Sequence, residues 1–104
     1  MLGFIKKLLG IIEPEWEKLK QQGALVIDFR SAAEYSRGHV KGSINIPLQS
    51  LDAKISNIKK QQKPVITCCR SGARSGAAVS KLKDYGIEAY NGGSWENVDR
   101  HYKN

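Results

Sequence analysis

Short apolar runs recur along the chain, and each is bounded by polar residues, glycine or proline. The runs ALVIDF (24–29) and VITCC (65–69) are typical of strands that are buried on both faces of a parallel sheet. Two shorter runs, GSINIP (42–47) and IEAY (87–90), have the same character. We therefore predict a strand in each run.

Helices are predicted between these runs. In the stretch 50–62 the apolar residues Leu51, Ile55 and Ile58 recur at helical spacing. Further helices are predicted at 14–22, 32–38 and 75–86, and a last one follows two glycines and ends near residue 102. Ser31 and Glu34 have the spacing of a capping box. Strands that alternate with helices in this way indicate an α/β domain, in which a mostly parallel central sheet has helices on both faces.

The chain begins with an apolar stretch, MLGFIKKLLGII, that two lysines interrupt. A secretory signal or a membrane span needs a longer unbroken apolar run, so we predict neither. The apolar positions form a stripe at helical spacing: Ile5, Leu8, Leu9 and Ile12. A stripe in residues 1–12 could pack on the domain, which we favour, bind a partner or make peripheral contact with a membrane. We divide the chain into an amphipathic segment, 1–13, and a domain, 14–104.

Composition and charge limit the partners. A chain of 104 residues has the length of one domain, and its formal net charge of +7 attracts anions. The basic residues are scattered, with few aromatic residues among them, so we predict no nucleic-acid binding.

Cys68 and Cys69 are adjacent, which makes a disulfide between them strained. Two free thiols favour a reducing compartment, and we expect a cytoplasmic location.

Cys69 is the candidate nucleophile, because it ends a predicted central strand and precedes a loop and a helix. In parallel sheets, ligands bind beyond the carboxyl ends of the strands. A loop that curls ahead of a helix directs backbone N–H groups inward, and the helix dipole adds positive charge, so such a loop binds anions. The residues predicted to bind substrate in this loop are Arg70, Ser71, Gly72, Ala73 and Arg74.

The same positive surroundings favour ionisation of the Cys69 thiol, and the thiolate is the reactive form of cysteine. We expect Cys69 to attack a sulfane sulfur and to hold it as a persulfide. Cys68 is predicted to be a buried structural residue, because alternation along the strand turns its side chain away from Cys69. A second role for Cys68, resolving a Cys69 persulfide, stays open.

Three segments resemble the single-domain rhodanese family, in the family's order and over about residues 14–102. VIDFRSAAEYSRGHVKGSINIP is similar to its first conserved block, CRSGARS to its active-site loop, and NGGSW to its late glycine-glycine-tryptophan element. The resemblance implies a five-stranded parallel sheet and a persulfide on Cys69, with residues 70–74 as the binding loop. It also implies a small anionic sulfur donor such as thiosulfate, a cyanide, thiol or protein acceptor, and neither a metal nor an organic cofactor.

Two other functions remain as alternatives. Phosphatases and arsenate reductases also place a cysteine before an anion-binding loop, but Arg74 follows Cys69 by five positions, where a tyrosine-phosphatase loop has six. The shorter loop favours a single sulfur atom over a tetrahedral oxyanion. A persulfide carrier or binding module without turnover is the other alternative, and the presence of the cysteine favours chemistry over binding alone.

Other polar and aromatic residues are predicted to be structural. Asp28 and Arg30 follow a buried strand, where a carboxylate and a guanidinium usually find partners. His39 has no neighbouring serine or aspartate pattern from which a triad could be built. Trp16 and Trp95 are expected in the core or at its rim. The donor, the acceptor and the oligomeric state are not fixed by these patterns.

Overall fold

The computed structural model describes residues 13–103, in which short strands alternate with helices. The helices are α1 (Trp16–Gln21), α2 (Ala32–Ser36), α3 (Ile55–Gln61), α4 (Ala73–Asp84) and α5 (Trp95–Tyr102). The strands are β1 (Leu25–Asp28), β2 (Ile44–Asn45), β3 (Val65–Cys69) and β4 (Ala89–Ser94). Two 3-10 turns, Leu48–Ser50 and Asp52–Lys54, lead into α3.

The strands form one parallel sheet in the order β2-β1-β3-β4. Strand β3 is central and all of its residues are buried, as the apolar run predicted. Asp28 at the end of β1 lies opposite Cys68 in β3, and Cys69 lies opposite Ser94 in β4. The carboxyl ends of these parallel strands therefore lie at the same edge of the sheet, next to the predicted site.

Each face of the sheet has its own hydrophobic core, which confirms the predicted α/β class. Leu51, Ile55 and Ile58 lie in the core on one face, together with Leu82 of α4. The core on the other face contains Leu19 of α1 and Val98 of α5. Burial on both faces explains why the central strands are apolar throughout instead of alternating.

Some boundaries differ from the predictions. Residues 13–103 contain four strands, so the fifth strand implied by the family resemblance is not found in the part that the structure describes. The helix predicted at 50–62 is α-helical only from Ile55, because 3-10 turns replace its beginning. The last strand was predicted to end at Tyr90 but continues to Ser94, so the glycine pair lies within the strand.

The glycine pair produces an irregularity in β4. Thr67 pairs with Asn91 and Cys69 with Ser94, so β4 has one more residue than β3 between these pairs. Gly93 takes a φ of +84°, which glycine adopts without strain. A side-chain carbon at Gly92 would lie 2.5 Å from Val98 Cγ2 and 2.8 Å from the Thr67 carbonyl oxygen. Only glycine fits this close approach of α5 to the sheet.

Across the part of the chain that the structure describes, no helix combines the length and the apolar character needed to cross a bilayer. The predicted amphipathic segment lies almost wholly in residues 1–12, which are outside the described residues, so its boundary with the domain stays a prediction.

Candidate active site

The Cys69 sulfur lies at the centre of the loop that joins β3 to α4. Only 1% of the residue is exposed. The Gly72 N–H donates to Sγ at 3.0 Å and the Ser75 N–H at 3.4 Å. The Cys69 thiol donates to the Ser75 hydroxyl oxygen at 3.4 Å. The loop therefore surrounds the sulfur with hydrogen-bond donors, although its site is almost closed to solvent.

These contacts change the acidity of Cys69. Burial by itself raises the pKa of the thiol, but contacts with the Ser75 hydroxyl and with the Ser75, Gly72 and Ser71 N–H groups favour the ionised form and outweigh it. The net result is a pKa below the ordinary value for cysteine. Because the thiolate is the nucleophilic form of cysteine, a lowered pKa favours nucleophilic attack by the Cys69 sulfur.

The conformation of Gly72 brings the loop into this shape. Gly72 precedes the first residue of α4 and has a φ of +103°, in the left-handed region. Side chains rarely adopt this conformation, so glycine is required where the chain turns back over the sulfur. Arg70, Ser71 and Ala73 are exposed around the turn. The loop thus offers its backbone, and not these side chains, to the Cys69 sulfur.

Arg74 is held by an acidic residue of another helix. Its guanidinium donates to the two carboxylate oxygens of Glu34 at 2.7 and 3.0 Å. The Arg74 hydrogen bond and the Ser31 N–H at the helix start hold the pKa of Glu34 well below its usual range. Glu34 therefore joins the capping box of α2, which the structure confirms, to the active-site loop.

The structure also confirms the structural pairing predicted for Asp28 and Arg30. The Arg30 guanidinium donates to both carboxylate oxygens of Asp28, at 3.0 and 2.7 Å, and to the Gly38 carbonyl at 2.7 Å. It also lies 5.0 Å from the ring centre of Trp95. These contacts hold the segment between β1 and α2 in place. They thereby position α2, which contains Glu34, beside the loop.

Cys68 has the opposite environment to Cys69. Its side chain points into the core that contains Leu19 and Val98. Burial, together with the nearby carboxylate of Asp28, raises the pKa of this thiol far above its usual range. Cys68 is therefore a neutral core residue in this structure, as its place in the strand predicted.

Two further residues contact the loop, and the local sequence pattern did not predict them. Ser75, at the first turn of α4, is fully buried and donates its hydroxyl proton to Asn91 Oδ1 at 2.7 Å. Asn91, in β4, donates to the Gly72 carbonyl at 3.0 Å and accepts from the Gly93 N–H at 2.9 Å. A polar residue near the carboxyl end of a strand beside β3 was the available signal for Asn91.

The fold and the loop define a class of protein: an α/β domain in which a buried cysteine, contacted by backbone N–H groups, lies between the central strand and a helix. The chain belongs to the Rhodanese-like domain family, whose model matches residues 14–99. The family resemblance that the sequence motifs indicated is thereby confirmed.

Individual relatives agree with this membership. An uncharacterized protein of Bacillus subtilis is 39% identical over 87 residues, which make up 83% of this chain and 68% of that protein. A thiosulfate sulfurtransferase of Pseudomonas fluorescens is 34% identical over 69 residues, or 65% of this chain and 63% of that protein. The solved structure of a rhodanese with anions from E. coli has 30% identity and a TM-score of 0.66, and the match covers 71% of this chain and 89% of that one.

Proposed function

We propose that this protein is a sulfurtransferase in which Cys69 carries the transferred sulfur atom as a persulfide. The observation that carries the proposal is the Cys69 sulfur itself, which is held by backbone N–H groups and has a lowered pKa. A cysteine that is only a core residue is inert and, when buried in apolar surroundings, has a raised pKa, as Cys68 does.

The proposed reaction has two displacements, and a small anionic donor such as thiosulfate supplies the sulfur. The Cys69 thiolate attacks the sulfane sulfur, a new S–S bond forms, and sulfite leaves with the electron pair of the bond that breaks. An acceptor such as cyanide, a thiol or a protein thiolate then attacks the outer sulfur. Its bond to that sulfur forms while the persulfide S–S bond breaks, and the electron pair returns to Cys69 as thiolate. No metal or organic cofactor takes part in the proposed steps.

Backbone N–H groups suit both steps. They stabilise the thiolate before attack and can stabilise negative charge on the persulfide afterwards, because preformed donors in a closed site need no reorganisation. Unpaired thiols at positions 68 and 69 fit a reducing compartment, so we place the reaction in the cytoplasm.

The test is the intact mass of the protein after treatment with thiosulfate, and again after cyanide. We expect a gain of one sulfur atom on the wild type, removed by cyanide with release of thiocyanate. Cys69→Ser should show no gain, because it lacks the nucleophile. Cys68→Ala is the matched control, since it removes a thiol from the core and not from the loop, and it should still acquire the sulfur.

Equal loss of the adduct in both variants, with both still folded by circular dichroism, would refute the assignment of Cys69 as the sole nucleophile. If the folded wild type forms no adduct with any sulfane-sulfur donor, the protein is not a sulfurtransferase of this kind. Hydrolysis of phosphate esters or reduction of arsenate by the same protein would then support the alternative chemistry.

A further inference from the structure

Asn91 connects three parts of the site through one side-chain amide. Its oxygen accepts from the Ser75 hydroxyl at 2.7 Å and from the Gly93 N–H at 2.9 Å. Its nitrogen donates to the Gly72 carbonyl at 3.0 Å. The residue thus links β4 to both the active-site loop and the first turn of α4, although Asn91 itself is exposed.

The Ser75 hydroxyl has a single proton and two neighbours that can accept it. In the structure the proton is directed to Asn91 Oδ1, while the oxygen accepts from the Cys69 thiol. A thiolate has no proton to donate and is itself a strong acceptor. When Cys69 ionises, the Ser75 hydroxyl can stabilise the charge only by turning its proton from Asn91 towards the sulfur.

We propose that Asn91 is a positioning residue for Cys69: its amide oxygen holds the Ser75 proton while the Cys69 sulfur is a thiol or persulfide, and releases it when the sulfur is a thiolate. This inference rests on the proposed function, because it concerns the same sulfur. In the persulfide the negative charge lies on the outer sulfur, so the inner sulfur no longer requires the Ser75 proton. Asn91 therefore favours the two neutral states of the inner sulfur over the thiolate.

The charged groups near Cys69 lie on other elements, and they keep their charges when the Ser75 proton turns from Asn91 to the sulfur. Arg74 of α4 interacts electrostatically with Cys69 and is paired with Glu34 of α2. The buried Asp28–Arg30 pair follows β1. Cys68, the neighbouring thiol of β3, stays protonated because its pKa lies far above the usual range. From β4, the neutral amide of Asn91 is the group that contacts Ser75.

The test measures ionisation of Cys69 directly, by the ultraviolet absorbance of the thiolate as a function of pH. Cys69→Ser supplies the baseline for the tyrosines. Leucine has a shape similar to that of asparagine but no hydrogen-bonding group in its side chain. In Asn91→Leu the Ser75 hydroxyl can therefore donate to the Cys69 thiolate without competition, and the pKa of Cys69 should fall. Asn91→Asp keeps an acceptor and adds negative charge, so the pKa should rise.

The same change should appear in reactivity. At a pH below the pKa, Asn91→Leu is expected to increase the rate of alkylation of Cys69 by about threefold, because the gain in thiolate outweighs its lower intrinsic nucleophilicity. Both Asn91 variants lose the contact with the Gly72 carbonyl. If Asn91 merely braced the loop, its loss would loosen the N–H groups that favour the thiolate, and Asn91→Leu would raise the pKa of Cys69.

The decisive control is the Ser75→Ala background. There Asn91→Leu should leave the pKa of Cys69 unchanged, because the proton for which Asn91 competes is absent. A fall of equal size with and without Ser75, or a rise in the Asn91→Leu single variant, would overturn the proposal. The titration needs no sulfur donor, so its outcome is independent of whether the protein forms a persulfide.

Discussion

Two adjacent residues of one strand show how side-chain direction decides chemistry. Cys68 and Cys69 both end β3, and both are almost fully buried. Successive side chains in a strand point to opposite faces, so Cys68 enters the apolar core while Cys69 meets the N–H groups of the loop. The pKa of the first thiol is raised and that of the second lowered. Burial alone therefore does not set the pKa of a cysteine thiol; the hydrogen-bond donors around the sulfur also contribute.

At the same scale, Arg74 combines a structural contact with a charge beside the site. Its guanidinium is tied to Glu34 by two hydrogen bonds, yet over a third of its side chain is exposed, at 37%. We predict that Arg74→Ala raises the thiosulfate KM by about tenfold, because it removes a cation from the surroundings of a dianionic donor. Steady-state kinetics measure the effect, and thermal unfolding checks the fold.

Glu34→Gln is the matched variant for this prediction. It weakens the same ion pair but leaves the Arg74 cation free, so we expect the thiosulfate KM to stay the same or fall. If both variants raise KM equally, the pair acts only by holding α2 against the loop, and Arg74 has no role in attracting the donor.

At the scale of elements, the glycine pair of β4 allows the last helix, α5, to pack closely against the sheet. The backbone at Gly92 lies against Val98 of α5 and the Thr67 carbonyl of β3. The irregularity that follows carries Gly93 over Gly72, where a side-chain carbon would lie 3.5 Å from the Gly93 Cα. The late glycine motif is thus a packing element that supports the active-site loop.

We predict that Gly92→Ala lowers the free energy of unfolding by about 3 kcal/mol, because a methyl group there must displace a backbone carbonyl as well as a side chain. Denaturant titration measures the loss. Gly23→Ala is the control: Gly23 has a φ of +72° but open space around it. Only conformational strain opposes alanine at that position, and the expected cost is about 1 kcal/mol. Equal losses at the two positions would contradict the packing argument.

At the scale of the whole molecule, the net charge of the chain acts on small anions in the surrounding solution. The chain has a formal net charge of +7, spread over scattered lysines and arginines. Such a charge raises the local concentration of small anions and speeds their encounter with the protein, and salt screens the effect. The expected consequence concerns rate and not fold.

We predict that the second-order rate of persulfide formation from thiosulfate falls by about threefold or more when ionic strength rises from roughly 0.01 to 0.15 M. Stopped-flow measurement with cyanide as acceptor gives the rate. Alkylation of Cys69 by neutral iodoacetamide provides the comparison and should change little over the same range. If both rates respond equally, salt acts on the thiolate or on the loop, and electrostatic attraction of the donor is excluded.

Local sequence pattern determined much of this architecture. The apolar runs predicted the four strands of the described residues, although β2 is shorter and β4 longer than expected. The run and loop around residues 65–74 located the cysteine at the edge of the sheet, and the capping box was visible in two residues. These features depend on neighbours in the chain, so the sequence carries them directly.

The contacts that tune the site were decided only by the tertiary structure. Glu34 and Arg74 are 40 residues apart, and Asn91 is 16 residues from Ser75. Their pairing depends on the order of strands, on the register of β3 with β4 and on the extra residue at the glycine pair. Local spacing contains none of that information. The sequence alone thus determined that Cys69 ends a buried strand at the loop, because that depends on neighbours in the chain, and the packing of distant elements determined which groups contact its sulfur.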